Sequence, residues 1–290
     1  MIKLFAFDLD GTLLQNNQEI DRETVEMLKS QEDIRYILAT GRGYALVEDI
    51  VKTYDLNCDL ILNNGHEFLS HDKTVHFTYS FANDKIKRIC EILTKYDFHI
   101  SLQSGNGNKY TFTELEKYYE QHLEMSSKVR NRDISSLLTS PLFARESYLK
   151  NTVLLKSIEE LDDLCILKID AKNLDKEINS KALEELKAID NIAITTSFES
   201  YIEICDNSMD KGKLLLQVAN NYGISADEIA VFGDSDNDIE LLQAVPHSFA
   251  MGNGKEELKK HAAHITDTND NQGVLKGMIK ILEAENYVKL

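Results

Sequence analysis

Long apolar runs, prolines, clustered cysteines and net positive charge are all missing or scarce in this 290-residue chain, and each scarcity narrows what it can be. No apolar run approaches the ~20 residues that cross a bilayer. The N-terminus also lacks the charged region, apolar core and small-residue cleavage site of a secretory signal. A cytoplasmic protein with no membrane partner is the expectation. With only 2 prolines there is no Pro-rich linker, and neither internal repeats nor low-complexity tracts divide the chain. The 4 cysteines, Cys58, Cys90, Cys165 and Cys205, are scattered, with no CxxC spacing and no histidine arranged for zinc. They read as buried free thiols. A formal charge of −17 lacks the basic footprint that nonspecific nucleic-acid binding needs, so no nucleic-acid partner is expected and an anionic substrate must be attracted locally.

What is present fits a folded protein, with 42% apolar and 28% charged residues in a length suited to one large or two moderate domains. Ile2 to Phe7 read as a short buried strand that stops at two acids, Asp8 and Asp10, followed by Gly11. Side chains alternate along an extended chain, so the two acids are expected to project the same way. A helical stretch near Asp21 to Ser30, a strand "IRYILAT", a helix after Gly41 and a strand "DLILNNG" continue the alternation. The order predicts an α/β fold with a Rossmann-like, doubly wound parallel-sheet core. Ligands of such sheets bind beyond the carboxyl ends of the strands, where Asp8, Thr40 and Asn63 stand.

The tail returns to the same grammar. "MDKGKLLLQVANNYG" reads as a helix closed by Gly223, "EIAVFGDSDND" as a strand running into an acidic loop, and "IELLQAV" as the next helix. "HSFAMGNG" and "AAHIT" are short strands, and Gly273 to Glu285 is a final amphipathic helix. Between the halves, helix, hairpin, helix and hairpin describe an inserted α+β domain over residues 82–206, with residues 1–81 and 207–290 forming the core. The hairpins are "HISLQSGNGNKYTFT", turning at Gly105 to Asn108, and "NIAITTSFESYIEIC". The insert holds 17 basic against 22 acidic residues and the remainder 15 against 27, so the insert is the less hostile half for an anion.

Four stations converge on one sheet edge: Asp8 with Asp10, Thr40 with Gly41, Lys211, and the loop 233–238. A carboxylate can attack phosphorus, and a second acid two residues on can protonate the leaving oxygen and then activate water. Gly11 lets backbone amides approach an anion. The loop "GDSDND" carries more carboxylates than it could hold bare, and Mg²⁺ needs only a few of them because phosphate and water complete its shell. Asp234 and Asp8 are the candidate direct ligands. Lys211 opens a helix whose N-terminus is already positive, a sensible place only if an anion sits there.

"DLDGTLL", "ATGR", "DKGKLL" and "GDSDNDIELL" resemble, in order, the four motifs of the haloacid dehalogenase superfamily of phosphatases. "ILNNG", the Glu203–Ile204 pair, "FAMGNG" and "DNQGV" are similar to the Cof-type sugar-phosphatase subfamily, whose large α/β cap matches the insertion in position and size. The resemblance implies Asp8 as nucleophile, Asp10 as general acid/base, and Thr40 and Lys211 as phosphate ligands, with Leu9, Gly11, Gly41 and Asn237 lining the phosphate. For Mg²⁺ it implies Asp8, Asp234 and the backbone carbonyl of Asp10, with Asp238 supporting both the metal and Lys211. Asp10 argues against dehalogenase chemistry. The "SMD" before Lys211 departs from the small or apolar run more usual there, which bears on local packing.

The expected activity is a Mg²⁺-dependent phosphatase for small phosphorylated metabolites, sugar phosphates first and flavin mononucleotide or pyridoxal phosphate next. A phosphosugar mutase and a non-catalytic phosphometabolite sensor are the alternatives. The cap is expected to select the substrate, with Arg42 and His66 as possible contacts. Tyr118 and Tyr119 read as helix-packing residues and Lys128 to Arg132 as a solvated basic turn.

Overall fold

The computed structural model describes residues 1–31, 33–105, 107–140, 143–197 and 200–284. In chain order the elements are β1 (Leu4–Phe7), α1 (Arg22–Ser30), β2 (Arg35–Ala39), α2 (Glu48–Tyr54), β3 (Asp59–Leu62), β4 (Glu67–Leu69) and β5 (Val75–Thr78). Then come α3 (Asn83–Lys95), β6 (His99–Ser104), β7 (Lys109–Thr111), α4 (Leu115–Arg130), α5 (Ile134–Leu137), α6 (Arg145–Leu149), β8 (Thr152–Leu154), β9 (Ile166–Lys172), α7 (Lys176–Leu186), β10 (Ile192–Ser197) and β11 (Tyr201–Asp206). The last stretch holds α8 (Lys211–Asn221), β12 (Ile229–Gly233), α9 (Ile239–Gln243), β13 (His247–Ala250), α10 (Glu256–Lys259), β14 (His264–Ile265) and α11 (Gly273–Ala284). Two compact units result, one of residues 1–78 and 209–290, the other of residues 79–208.

The first unit is built on an eight-stranded sheet in the order β14-β13-β12-β1-β2-β3-β4-β5. Strands β14 through β3 run parallel, and β4 and β5 add antiparallel to that edge. β1 lies at the centre because "LFAF" is apolar on both faces, as a strand covered from both sides must be. Phe5 and Phe7 pack in one layer with Leu28 of α1, Val51 of α2 and Met278 of α11, while α8 and α9 pack on the sheet around β3 and β12. The carboxyl ends of β1, β2, β3 and β12 thus share one edge, as the doubly wound pattern requires.

Several expectations are corrected in detail. β1 begins at Leu4 rather than Ile2, and the helix after Gly41 is a 3₁₀ turn (Tyr44–Leu46) running into α2. The hairpin β4–β5 has no counterpart in the sequence reading, because β5 is mostly exposed and lacks the apolar run that marks a strand. Cys58, Cys90 and Cys205 are buried, but Cys165 is exposed in the loop before β9. Glu285, read as the end of the last helix, lies outside the described residues, as does part of the turn of each expected hairpin.

β4 brings a carboxyl inside: Glu67 is buried, with Asn63 Nδ2 at 3.5 Å, and burial pushes its pKa up from 4.5 to about 7. Below 4.5 the group is protonated in both the folded and unfolded chain. As pH rises from there to about 7, the unfolded chain ionises first and stability falls. Glu67→Gln is expected to leave stability unchanged at pH 4 and to raise it by about 2 kcal/mol at pH 8, measured by urea denaturation.

The second unit has a six-stranded sheet, β10-β11-β9-β6-β7-β8. The two expected hairpins are joined through β9, which pairs antiparallel with both β6 and β11. Ile100, Leu102, Ile169, Ala171, Ile202 and Ile204 face α3 and α7 and form its core. Tyr118 is fully buried in α4, in line with a packing role, and Tyr119 donates to the Phe143 carbonyl at 2.7 Å. Lys128 to Arg132 are exposed, as expected, but Lys128 and Arg130 belong to the last turn of α4, with Asn131 closing the helix in the left-handed region.

Candidate active site

Beyond Phe7 the chain leaves the sheet and turns back on itself. Leu13 and Leu14 donate to the carbonyls of Asp8 and Leu9 at 3.2 and 2.9 Å, and Gly11 sits at φ 79°. A Cβ on Gly11 would lie 2.4 Å from Asp234 Oδ2, so this close approach of two loops is open only to glycine. The loop is tied from outside as well: Asn253 donates to the Gly11 carbonyl at 2.8 Å and Asn269 to the Leu14 carbonyl at 2.9 Å. These asparagines belong to "MGNG" and "NDNQG". Asn253 lay inside the quoted motif "FAMGNG" without a role attached, and Asn269 stands one residue before "DNQGV" and was not singled out.

Lys211, the first residue of α8, is 1% exposed, and its Nζ donates at 2.7 Å both to Asp8 Oδ1 and to Asp238 Oδ1. Asp238 is wholly buried, and its other oxygen accepts the amides of Asp234 and Ser235 at 3.0 and 3.1 Å. One carboxylate therefore shapes the acidic loop and orients the lysine. Lys211 is seated by the turn after β3, where Asn63, Asn64 and Gly65 all take positive φ and a Cβ on Gly65 would lie 2.2 Å from the Asp210 carbonyl carbon. Asn-Asn-Gly is the composition such a run of left-handed residues favours.

Asp8, Asp234 and Asp238 each place a carboxylate oxygen within 4.8 Å of the others. Burial pushes the Asp8 carboxyl well above its ordinary range, Asp238 adds to the rise, and Lys211 opposes it. Burial and then Asp238 push Asp234 up to about 7. Burial works against the charge on Lys211, but Asp238 and Asp8 outweigh it and hold the ammonium protonated. Three carboxylates face one ammonium, and the remaining negative charge suits a hard, oxygen-seeking cation. The donor set fits Mg²⁺, with Asp8 and Asp234 placed to hold it and Asp238 occupied in supporting them.

Thr40 is buried at the end of β2, and its Oγ1 accepts the Arg42 amide at 3.2 Å, which leaves its own O–H to donate elsewhere. A Cβ on Gly41 would lie 2.8 Å from Asn64 Oδ1, the same atom that accepts from Asn237 Nδ2 at 3.1 Å. Asn64 thus stands between two of the expected phosphate-lining residues and was not singled out by sequence reasoning.

Asp10 does not join the carboxylate cluster. The chain turns at Leu9 instead of staying extended, and the Asp10 side chain, 53% exposed, receives a bidentate pair from Arg42 Nε at 2.8 Å and Nη2 at 2.5 Å. Arg42 also donates to Gln18 Oε1 at 3.0 Å and to the Leu46 carbonyl at 3.2 Å. Expected as a substrate contact, Arg42 has its guanidinium committed to Asp10 and the surrounding loop. His66, the other expected contact, is fully buried, and its Nδ1 donates to the Asn63 carbonyl at 3.0 Å, which accounts for it as a brace of the Asn-Asn-Gly turn.

Residues 5–278 match the family model of the haloacid dehalogenase-like hydrolases. Among curated proteins, the chain is 25% identical to the 5-amino-6-(5-phospho-D-ribitylamino)uracil phosphatase YcsE of Bacillus subtilis, across 96% of this chain and 94% of that one. It is 27% identical to YbjI of Escherichia coli, which carries the same activity name, across 98% and 97% of the two chains. A solved haloacid dehalogenase-like hydrolase from B. subtilis has the same fold, with a TM-score of 0.79 at 23% identity over 96% of this chain and 98% of that one.

Proposed function

Because the chain belongs to the haloacid dehalogenase-like hydrolases and is a phosphatase of that family, we propose that it hydrolyses small phosphate monoesters through a phosphoaspartyl intermediate on Asp8. The observation that carries this reading is the buried cluster in which Lys211 holds Asp8 and Asp238 together beside Asp234. An Asp8 oxygen attacks phosphorus as the bond to the leaving oxygen breaks, and Asp10 gives that oxygen its proton. Water then attacks the phosphoaspartate, Asp10 takes the proton, and the release of inorganic phosphate restores Asp8. Lys211 neutralises one Asp8 oxygen and so lets an anionic phosphoryl group approach, while Thr40 donates its hydroxyl to a phosphoryl oxygen and Asn237 and Asn64 line the pocket beside Gly41. Mg²⁺ held by Asp8 and Asp234 with the Asp10 carbonyl would supply charge neutralisation of the transferring group.

Sugar and polyol phosphates are the proposed substrate class, supported by the phosphoribityl compound in the names of the relatives. Residues 82–206 are proposed to read the part of the substrate beyond the phosphoryl group, and the cytoplasm is the proposed compartment. Phosphate release measured with and without Mg²⁺ across sugar phosphates, phosphorylated flavin precursors and nucleotides tests this. Turnover that requires Mg²⁺ and ranks the polyol phosphates first supports the reading. Phosphate passed to a second hydroxyl of the sugar, with none released, overturns hydrolysis.

Arg42 gives a separate prediction. If its bidentate grip aims Asp10 for proton transfer, Arg42→Ala should slow hydrolysis of alkyl phosphates, whose leaving oxygen needs a proton, by about 100-fold. p-Nitrophenyl phosphate, whose leaving group departs as an anion, should slow by only about 3-fold. Equal losses on both substrates would remove Asp10 aiming as the role of Arg42.

A further inference from the structure

The second unit carries a charged cluster of its own. On the sheet face opposite its apolar core, Lys168, Asp170 and Lys172 alternate along β9, with Tyr201 and Glu203 beside them on β11. The two acids already have partners. Lys168 Nζ lies 3.0 Å from Asp170 and 3.5 Å from Glu203, and Gln103 and Tyr201 donate to Asp170 at 2.8 and 2.7 Å. That leaves three cations unbalanced in the same neighbourhood. Lys109 donates to the Tyr148 carbonyl at 2.8 Å, and Lys172 and Arg130 have no carboxylate within 4.0 Å among the described residues.

The unbalanced cations lie against rings, Lys172 at 5.2 Å over Tyr201 and Arg130 at 5.5 Å over Phe143. Beside them His122, 9% exposed, has neither ring nitrogen hydrogen-bonded, and burial, followed by the charge of Lys172, pushes its pKa down to about 2. It therefore adds no positive charge of its own. Lys172 is itself held below its ordinary range by burial, with Asp170 only partly offsetting this. Lys172 is partly buried and Arg130 exposed. A partly buried ammonium with no carboxylate in contact among the described residues carries a desolvation cost, which an anion completing the site offsets. In a protein of net charge −17 such a local positive excess is unusual.

We propose that the cavity of 230 Å³ lined by Met125, Ser126, Arg130, Lys172, Leu174 and Tyr201 binds a small organic anion, its phosphate or carboxylate between Lys172 and Arg130 and its apolar body against Met125 and Leu174. Ser126 and Tyr201 add a hydroxyl and a ring to the same walls. The site uses none of the residues assigned to phosphoryl transfer, and it stands or falls independently of that assignment.

Methionine methyl NMR on the full chain tests it, with the Met125 resonance assigned from Met125→Leu and with benzylphosphonate, 3-phenylpropionate and neutral benzyl alcohol as probes. At least one of the two anions is expected to move the Met125 methyl saturably, with benzyl alcohol about 10-fold weaker or worse. Response to the phosphonate alone assigns a phosphate ligand, and response to the carboxylate alone assigns an organic acid. The double variant Lys172→Gln with Arg130→Gln should weaken binding by about 10-fold or more. Without any probe, Lys172→Gln should raise the thermal midpoint by about 2 °C, because it removes a partly buried charge that has no carboxylate in contact among the described residues. Three results would each overturn the proposal: no saturable shift from either anion, affinity unchanged in the double variant, or a lowered midpoint for Lys172→Gln.

Discussion

Phosphate release is expected to fall by about 10⁴-fold or more when Asp8 is replaced by Asn. The substitution keeps the shape of the side chain and an oxygen for Lys211 Nζ, which now donates to Asp8 at 2.7 Å, so the loss falls on nucleophilic attack rather than on folding. Stability should not drop with activity. The Asp8 carboxyl is buried and its pKa is pushed up by that burial, so a neutral amide removes an ionisation that the folded state disfavours. A thermal midpoint equal to or above wild type, together with lost turnover and no phosphorylated protein by mass spectrometry, is the expected pattern. Wild-type turnover in the variant would rule out a covalent route through Asp8.

Lys211→Met should cost both activity and stability. Removing the ammonium leaves Asp8 and Asp238 buried without the charge that joins them, and breaking a buried pair in this way costs roughly 3–5 kcal/mol. Lys211 is held above its ordinary value of 10.5, so its contribution is complete at neutral pH and is lost only as pH climbs past that range. Acidification should narrow the difference between variant and wild type, because protonating the carboxylates removes their repulsion. Denaturant unfolding at pH 5 and pH 8 measures this. A stability deficit no larger at pH 8 than at pH 5 would mean that the lysine contributes packing rather than charge. Turnover should fall by about 10³-fold, since an anionic phosphoryl group would meet an uncompensated nucleophile.

Much of this site was legible in the chain because short motifs carry it. The Asp8 turn, Thr40 with Gly41, Lys211 and the acidic loop each follow a buried strand or open a helix, and an apolar run ending in acids is a local signal. The partners of those residues were less legible. Asn64, Asn253 and Asn269 act through backbone carbonyls and side-chain amides far away in sequence, and asparagine in a loop has no periodicity to mark it. Arg42 and His66 were placed in the right neighbourhood, but their contacts depended on chain reversals at Leu9 and Asn63 that spacing alone does not determine.

By itself the sequence determined the alternation of strand and helix, the position of the insertion and the acids, threonine and lysine proposed for phosphoryl chemistry, because hydrophobic period and turn composition act over a few residues. Only the tertiary structure decided that Asp238 would also hold the loop amides, that Asp10 would pair with Arg42, and that Lys172 and Arg130 would have no acid in contact among the described residues. Charge pairing is settled by which side chains the fold buries within a few ångströms of one another, and those neighbours come from strands and helices far apart in the chain.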